Sequence, residues 1–209
     1  MLGRGFVVLM VAAAIAAAQG PRIPRGGPTE PGYWVGLSYG YLDGTSMTDG
    51  ATNSHWQFGY SSQIRATLEK TIQRGISAGI SAGFATAPMT YEGFTSNCLG
   101  GCSATGDITQ WLVFVHAGSG LGFHGLYNLE GGITQFGHFR DKTTGIDLAS
   151  GSSNDFTFGF GGGLGYGFAP NMDMYVGEQW DIILHSQGDA TNAEAPRQLT
   201  FRIGARVGF

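Results

Sequence analysis

The chain of 209 residues is expected to fold as an all-β protein, with eight antiparallel strands closed up-and-down into a transmembrane barrel. Three observations lead there. After Gly32, apolar and polar residues alternate with period two through most of the chain, the mark of strands with two unlike faces. The connections between these segments are short and long in turn, the habit of barrels whose tight turns lie on one side of a membrane and whose loops lie on the other. Only 12% of residues are Asp, Glu, Lys or Arg, about half the roughly 25% of a soluble globular chain, while 37 are glycine.

The same composition excludes other classes. The glycines follow no Gly-X-Y period, and an aromatic content of 12% argues against a disordered chain. Mean hydropathy is zero and no apolar run reaches about 18 residues, so a bundle of spanning helices is excluded. A net charge of −4 leaves no basic footprint for nucleic acid, and none is expected as a partner.

Arg4 precedes an apolar run from Phe6 to Ala18, which ends in Ala16-Ala17-Ala18 before Gln19. At ~13 residues the run is shorter than the roughly 20 a spanning helix needs. Residues 1–18 therefore read as a signal peptide, cleaved after Ala18. Residues 19–31, QGPRIPRGGPTEP, hold four of the seven prolines and read as a periplasmic tether without a site of its own. Residues 32–209 are the barrel.

Its strands are expected at 33–42, 55–68, 72–87, 107–117, 121–136, 155–168, 172–185 and 198–209. In 55–68, Trp56, Phe58, Tyr60, Ile64, Ala66 and Leu68 share one face. Ile64, Leu68 and Ile72 also fit helical spacing, but the alternation on both sides favours a tight hairpin at Glu69–Thr71. The facing of Trp111 to Val115 is ambiguous. In 155–168, Phe156, Phe158, Phe160, Leu164, Tyr166 and Phe168 oppose Gly159, Gly161, Gly163, Gly165 and Gly167. Tight turns are expected at 69–71, 118–120 and 169–171, and outer loops at 43–53, 88–106, 137–154 and 186–197.

The glycine row decides which face is wet. Turned to water it would be a poorly packed surface; turned inward it relieves crowding in a narrow barrel. Arg65, Arg202 and Arg206 share the polar face, and a basic side chain in lipid costs about 2–4 kcal/mol at the midplane. The apolar face therefore meets lipid. Arg65, Glu130, Asp173, Asp181, Arg202 and Arg206 are expected inside, where charges persist only if paired. They form either a salt-bridged plug or, with the glycine wall removing side-chain volume, the lining of a narrow passage. Gly32-Tyr33-Trp34 matches the short G-x-W pattern of lipocalins, whose barrels are soluble and apolar inside.

These features together resemble the small OmpA/OmpX-type outer-membrane β-barrels of Gram-negative bacteria. The most specific motif is the last strand, where Phe201, Ile203, Ala205, Val207 and the terminal Phe209 match the pattern that the barrel-assembly machinery reads in that family. The resemblance implies an outer-membrane location, with membrane lipid and that machinery as partners. It carries no cell-wall anchoring, because nothing in the chain corresponds to the peptidoglycan-binding domain of the larger members.

Few constellations point to chemistry. Cys98 and Cys102 lie in an exported loop and are expected to form a disulfide. Gly120–Gly125 matches G-x-G-x-x-G, but the alternation resumes at once, so it reads as a hairpin and not a phosphate cradle. None of His55, His116, His124, His138 and His185 forms a metal-binding pair in sequence, and no metal or cofactor is expected. A lipid-modifying barrel enzyme needs a Ser or Asp with a His near the lipid boundary; Asp181, His185 and Ser186 sit near the outer end of one strand, yet the adjacent His185 and Ser186 face opposite ways. Glu178 falls on the lipid face, where a carboxylate is unfavourable. The leading expectation is a non-enzymatic structural or surface-interaction protein acting through its outer loops. The alternative is a small passive channel or binder of apolar molecules, as in OmpW-type barrels. Mass spectrometry of the membrane-fraction protein should find Gln19 as the mature N-terminus; an intact Met1 or another start would refute the signal-peptide reading.

Overall fold

The structure is a computed structural model that describes residues 30–50, 53–93, 98, 100–148, 153–186 and 193–209. The expected signal peptide and the tether up to residue 29 lie outside the described residues. The strands are β1 (Tyr33–Leu42), β2 (Ser46–Asp49), β3 (Ser54–Phe58), β4 (Ser61–Gln73), β5 (Ile76–Gly93), β6 (Cys102–Ala117), β7 (Gly122–Asp141), β8 (Ser153–Ala169), β9 (Met172–Ser186), β10 (Ala193–Glu194) and β11 (Arg197–Gly208). Eight of them, β1, β4, β5, β6, β7, β8, β9 and β11, pair with their neighbours in an antiparallel ring, and β11 returns to β1 to close it. The closing register runs from Trp34↔Gly208 to Leu42↔Thr200. Closure leaves the ring no free edge, the condition for a sheet to sit in hydrocarbon. The remaining short strands are additions above the ring: β2 and β3 form a hairpin that β3 joins to β5, and β10 pairs with β9.

Alternation is resolved as expected around the lipid-facing part of the ring. Tyr33, Val35, Leu37, Tyr39 and Tyr41 point outward from β1, while Trp34, Ser38 and Leu42 are buried inside. On β6, whose facing the sequence left open, Trp111, Val113 and Val115 point to lipid and Leu112 and Phe114 point inward. The result is a continuous apolar belt, which makes the protein a transmembrane barrel of the outer-membrane type.

Two expectations are corrected. The first hairpin turns at Arg74–Gly75, not at Glu69–Thr71; β4 and β5 pair down to Gln73↔Ile76, and Gly75 supplies the positive φ the turn needs. Glu69 is therefore a buried luminal residue. Second, residues 55–68 are two strands that break at Gly59 and Tyr60. Tyr60, Ile64 and Leu68 face lipid, but Trp56 and Phe58 are inside, at 0% and 3% exposure. Both share even parity with Ile64, so only the break lets them turn the other way.

That break is one sign of a larger change. Above the membrane the barrel inverts its polarity. Within the belt β5 points Ile80 and Phe84 outward and Ser77 and Ser81 inward; above it, Thr86, Thr90 and Glu92 point outward and Ala87, Met89 and Tyr91 inward. On β7 the same shift is made at His138, whose positive φ and a register jump opposite Thr105–Asp107 bring Phe139 inside with Phe136. These residues join Leu42, Met47, Ile108 and Ile183 in one buried apolar cluster. Trp56 packs edge-on against Phe139 with ring centroids 4.8 Å apart, and Phe58 lies 5.2 Å from Phe136. The upper barrel is thus built like a soluble protein, apolar in and polar out, because water surrounds it.

Trp56→Ala should cost about 3–5 kcal/mol, the usual loss on truncating a buried aromatic. Urea unfolding from lipid vesicles checks this; an unchanged midpoint would mean that the cluster does not stabilise the barrel.

Candidate functional site

Two regions offer chemistry: the lumen within the membrane and the surface above it. The lumen is layered. At its periplasmic end Arg206, on β11, donates to Asp173 Oδ2 on β9 from Nε at 3.1 Å and Nη2 at 2.9 Å, and to Glu69 Oε2 on β4 from Nη1 at 3.1 Å. Nη2 also donates to the Gly118 carbonyl at 2.7 Å, which ties the layer to a periplasmic turn. His116 lies 3.5 Å from Glu69 and His124 3.1 Å from Asp173, and Ser77 Oγ donates to Glu69 at 2.6 Å. Trp34 covers the guanidinium, its ring centroid 4.7 Å away. The end of the tether seals the mouth: Gly75 N–H donates to Glu30 at 2.9 Å, Ser119 Oγ also donates to Glu30, and Thr71 Oγ1 donates to the Pro31 carbonyl at 2.6 Å.

The middle layer is centred on Arg65. Its Nη1 donates to both Glu130 oxygens, at 2.9 and 2.8 Å, and its Nη2 to Gln110 Oε1 at 2.7 Å. Gln63 also donates to Gln110, and Asn128 links Glu130 to Gln179, which donates to Asp181 at 3.3 Å. Arg202 faces the same space; its Nε and Nη2 have no protein partner among the described residues, nor has Asp181 Oδ2. A cavity of about 80 Å³, lined by Arg65, Arg202, Glu130, Gln179 and Tyr175 among others, separates the two layers. That is room for a few water molecules.

The space beside the five inward glycines of β8 is largely taken up, although Gly163 borders the cavity. A Cβ at Gly159 would meet Asp181 and Gln179, one at Gly161 would meet Gln179, and one at Gly165 would meet His124. At Gly163 and Gly167 the obstruction is backbone, the carbonyls of Val176 and Gly120. Glycine here makes room for neighbouring side chains to fill the lumen. Above the middle layer Thr134 and Thr157 hydrogen bond at 2.7 Å, and fully buried His185 pairs through Nδ1 with Asp155 Oδ2 at 2.9 Å, beside Trp56. The apolar cluster caps this stack.

All six charged residues expected inside therefore line the lumen, in two groups: Arg65, Glu130, Asp181 and Arg202 in the middle, Asp173 and Arg206 at the periplasmic end. The sequence reading missed Glu69, Asp155 and the amides Gln63, Gln110, Asn128 and Gln179. Glu69 was legible, since it lies at even spacing from Arg65. Phe201, Ile203, Ala205, Val207 and Phe209 all point outward on or just after β11.

Above the membrane Cys98 and Cys102 are joined by a disulfide, with Cys98 buried in the apolar cluster. The bond pins its loop to that core. With Asp141 these sulfurs are the nearest approach to a metal-ligand group among the described residues, but a disulfide offers no thiolate. Asp141 closes the turn after β7 by accepting from the N–H groups of Thr143 and Thr144 at 2.8 and 2.7 Å; the Thr144 contact, then Thr143, holds its carboxyl below the ordinary aspartate range. The neighbouring outer face carries His138, 3.4 Å from Asp107, and an Arg140–Asp147 pair at 2.9 Å. His185 and Asp181 are both buried and face inward, away from the lipid.

No protein-family model and no curated sequence matches the chain. Solved structures do. Neisserial surface protein A superposes with a TM-score of 0.54 at 11% identity, over 87% of this chain and all of that one. OprG of Pseudomonas aeruginosa gives 0.48 at 15% identity, over 86% and 97%. Ail, the attachment invasion locus protein of Yersinia pestis, gives 0.38 at 15%, over 87% and 100%. At these identities the likeness is one of fold. The closed ring, its lipid belt and the first of these neighbours define an integral outer-membrane protein with the fold of the small eight-stranded barrels.

Arg65→Ala should strand Glu130 in the lumen and cost about 3–5 kcal/mol, whereas Arg65→Met with Glu130→Leu should cost much less. Unfolding midpoints of the three proteins in lipid vesicles would test this, and equal losses for the single and double variants would show that the pair is not acting as a unit.

Proposed function

We propose that the protein is a non-enzymatic, non-conducting barrel that serves as a rigid base for surface contact through its outer strands and loops. The observation that carries this reading is the buried apolar cluster. It fills the barrel where a conduit would open to the outside, while the same strands turn polar outer faces to water. The ion-paired layers and the filled glycine wall below support it further. The passive-channel alternative has only the narrow cavity in its favour, and above that space stand the Arg65 layer and then the aromatic cluster, below it Arg206 and Trp34. The terminal strand, with its outward Phe201, Ile203, Ala205, Val207 and Phe209, is proposed as the segment the assembly machinery reads.

Reconstituted in planar bilayers, the purified protein should give no steady single-channel current; a reproducible conductance would sink this reading. Cells displaying it should adhere to a surface or to one another more than cells lacking it. Replacing residues 142–152, between β7 and β8, by a Gly-Ser segment of equal length should abolish that difference and leave the heat-dependent gel shift of the barrel intact.

A further inference from the structure

Glu178 is the one acidic side chain on the lipid belt of β9. It lies midway along the outward run Met172, Met174, Val176, Glu178, Trp180, Ile182 and Leu184. Six residues separate it from either end, or ~15 Å at a rise of about 3.3 Å and a tilt of about 40°. This places the carboxyl near the middle of the hydrocarbon. Among the described residues it joins no ion pair and no hydrogen bond. Its lateral neighbours are Gly162 on β8 and Phe201 on β11, and Tyr127 lies beyond Gly162 on β7. Gly162 has no side chain, so the wall beside Glu178 is a notch of bare backbone, and Gly162, Val176 and Glu178 also border the luminal cavity.

We propose that this notch is the contact between two copies of this chain, related by a two-fold axis that brings the two Glu178 carboxyls together. A carboxyl in hydrocarbon must find a hydrogen-bond partner, and the commonest arrangement of acids in apolar media is a pair bonded to each other. A two-fold interface between identical barrels supplies that partner automatically, because each residue at the axis meets its own copy. The chain's own outward cations do not serve: Lys70 lies toward the periplasmic end of β4, and Arg197 lies at the upper end of β11, four residues above Phe201. Gly162 lets the two walls approach, and Val176, Trp180 and Phe201 surround the pair with apolar surface. The proposal concerns association within the membrane and stands apart from the reading of the outer surface.

The test uses the mature protein in its membrane. The two native cysteines are bonded to each other, so a single added thiol reports unambiguously. Glu178→Cys, oxidised in outer membranes, should give a covalent dimer on a non-reducing gel. Ile80→Cys, on the opposite wall, should not. By single-molecule photobleaching in bilayers, Glu178→Leu and Gly162→Leu should each weaken dimerisation at least tenfold. Glu178→Gln, whose amide still pairs with its copy, should weaken it less. The heat-dependent gel shift verifies that each variant is folded. A monomeric wild-type protein, equal cross-linking from position 80, or a cross-link to a different protein in place of a second copy would overturn the proposal.

Discussion

A strand in hydrocarbon must leave no backbone N–H or C=O unpaired, and the ring from β1 round to β11 meets that demand by joining the two ends of the chain. The rest of the structure follows from closing the ring at eight strands. Eight strands leave an interior about as wide as the side chains that fill it. Most of the charges that point inward are paired by another that does the same. Arg65 finds Glu130, and Arg206 finds Asp173 and Glu69, across strands far apart in sequence. The glycines of β8 answer the same crowding. Each yields its volume to a neighbouring side chain or carbonyl.

The ring does not stop at the membrane, and its solvent changes where it emerges. Inside lipid, apolar residues face out; in water, they face in. The chain makes this change in three ways. On β5 the hydropathy slips phase between Phe84 and Ala85 without any break in the strand. On β7 the backbone shifts at His138 to turn Phe139 inward. Between β3 and β4 the strand is interrupted at Gly59 and Tyr60. The aromatic cluster built by these shifts fills the barrel above the membrane. It also anchors Cys98, so the disulfide loop is fixed to a core and not merely tightened on the surface.

Glu178 violates the pattern in the opposite sense, a polar group where lipid asks for an apolar one. A luminal charge such as Arg65 finds its partner within one barrel because the opposite wall faces it. An outward charge has no such wall, and only another molecule can answer it.

Period-two alternation, read with the glycine row and the basic residues on the polar face, determined without any structure that the chain is a membrane barrel of eight strands, because the two faces of a spanning strand meet different solvents and the sequence must record that difference residue by residue. Parity put the charges on one face, and the glycines and arginines of that face marked it as the inside. What alternation cannot record is the position of a turn in a segment that keeps its phase. That is why Arg74–Gly75, and with it the luminal role of Glu69, had to come from pairing. Nor does it show which solvent surrounds a given stretch. Trp56 and Phe58 keep the parity of Ile64 yet point the other way, and only the packing of distant strands above the membrane decided that their face is the inside.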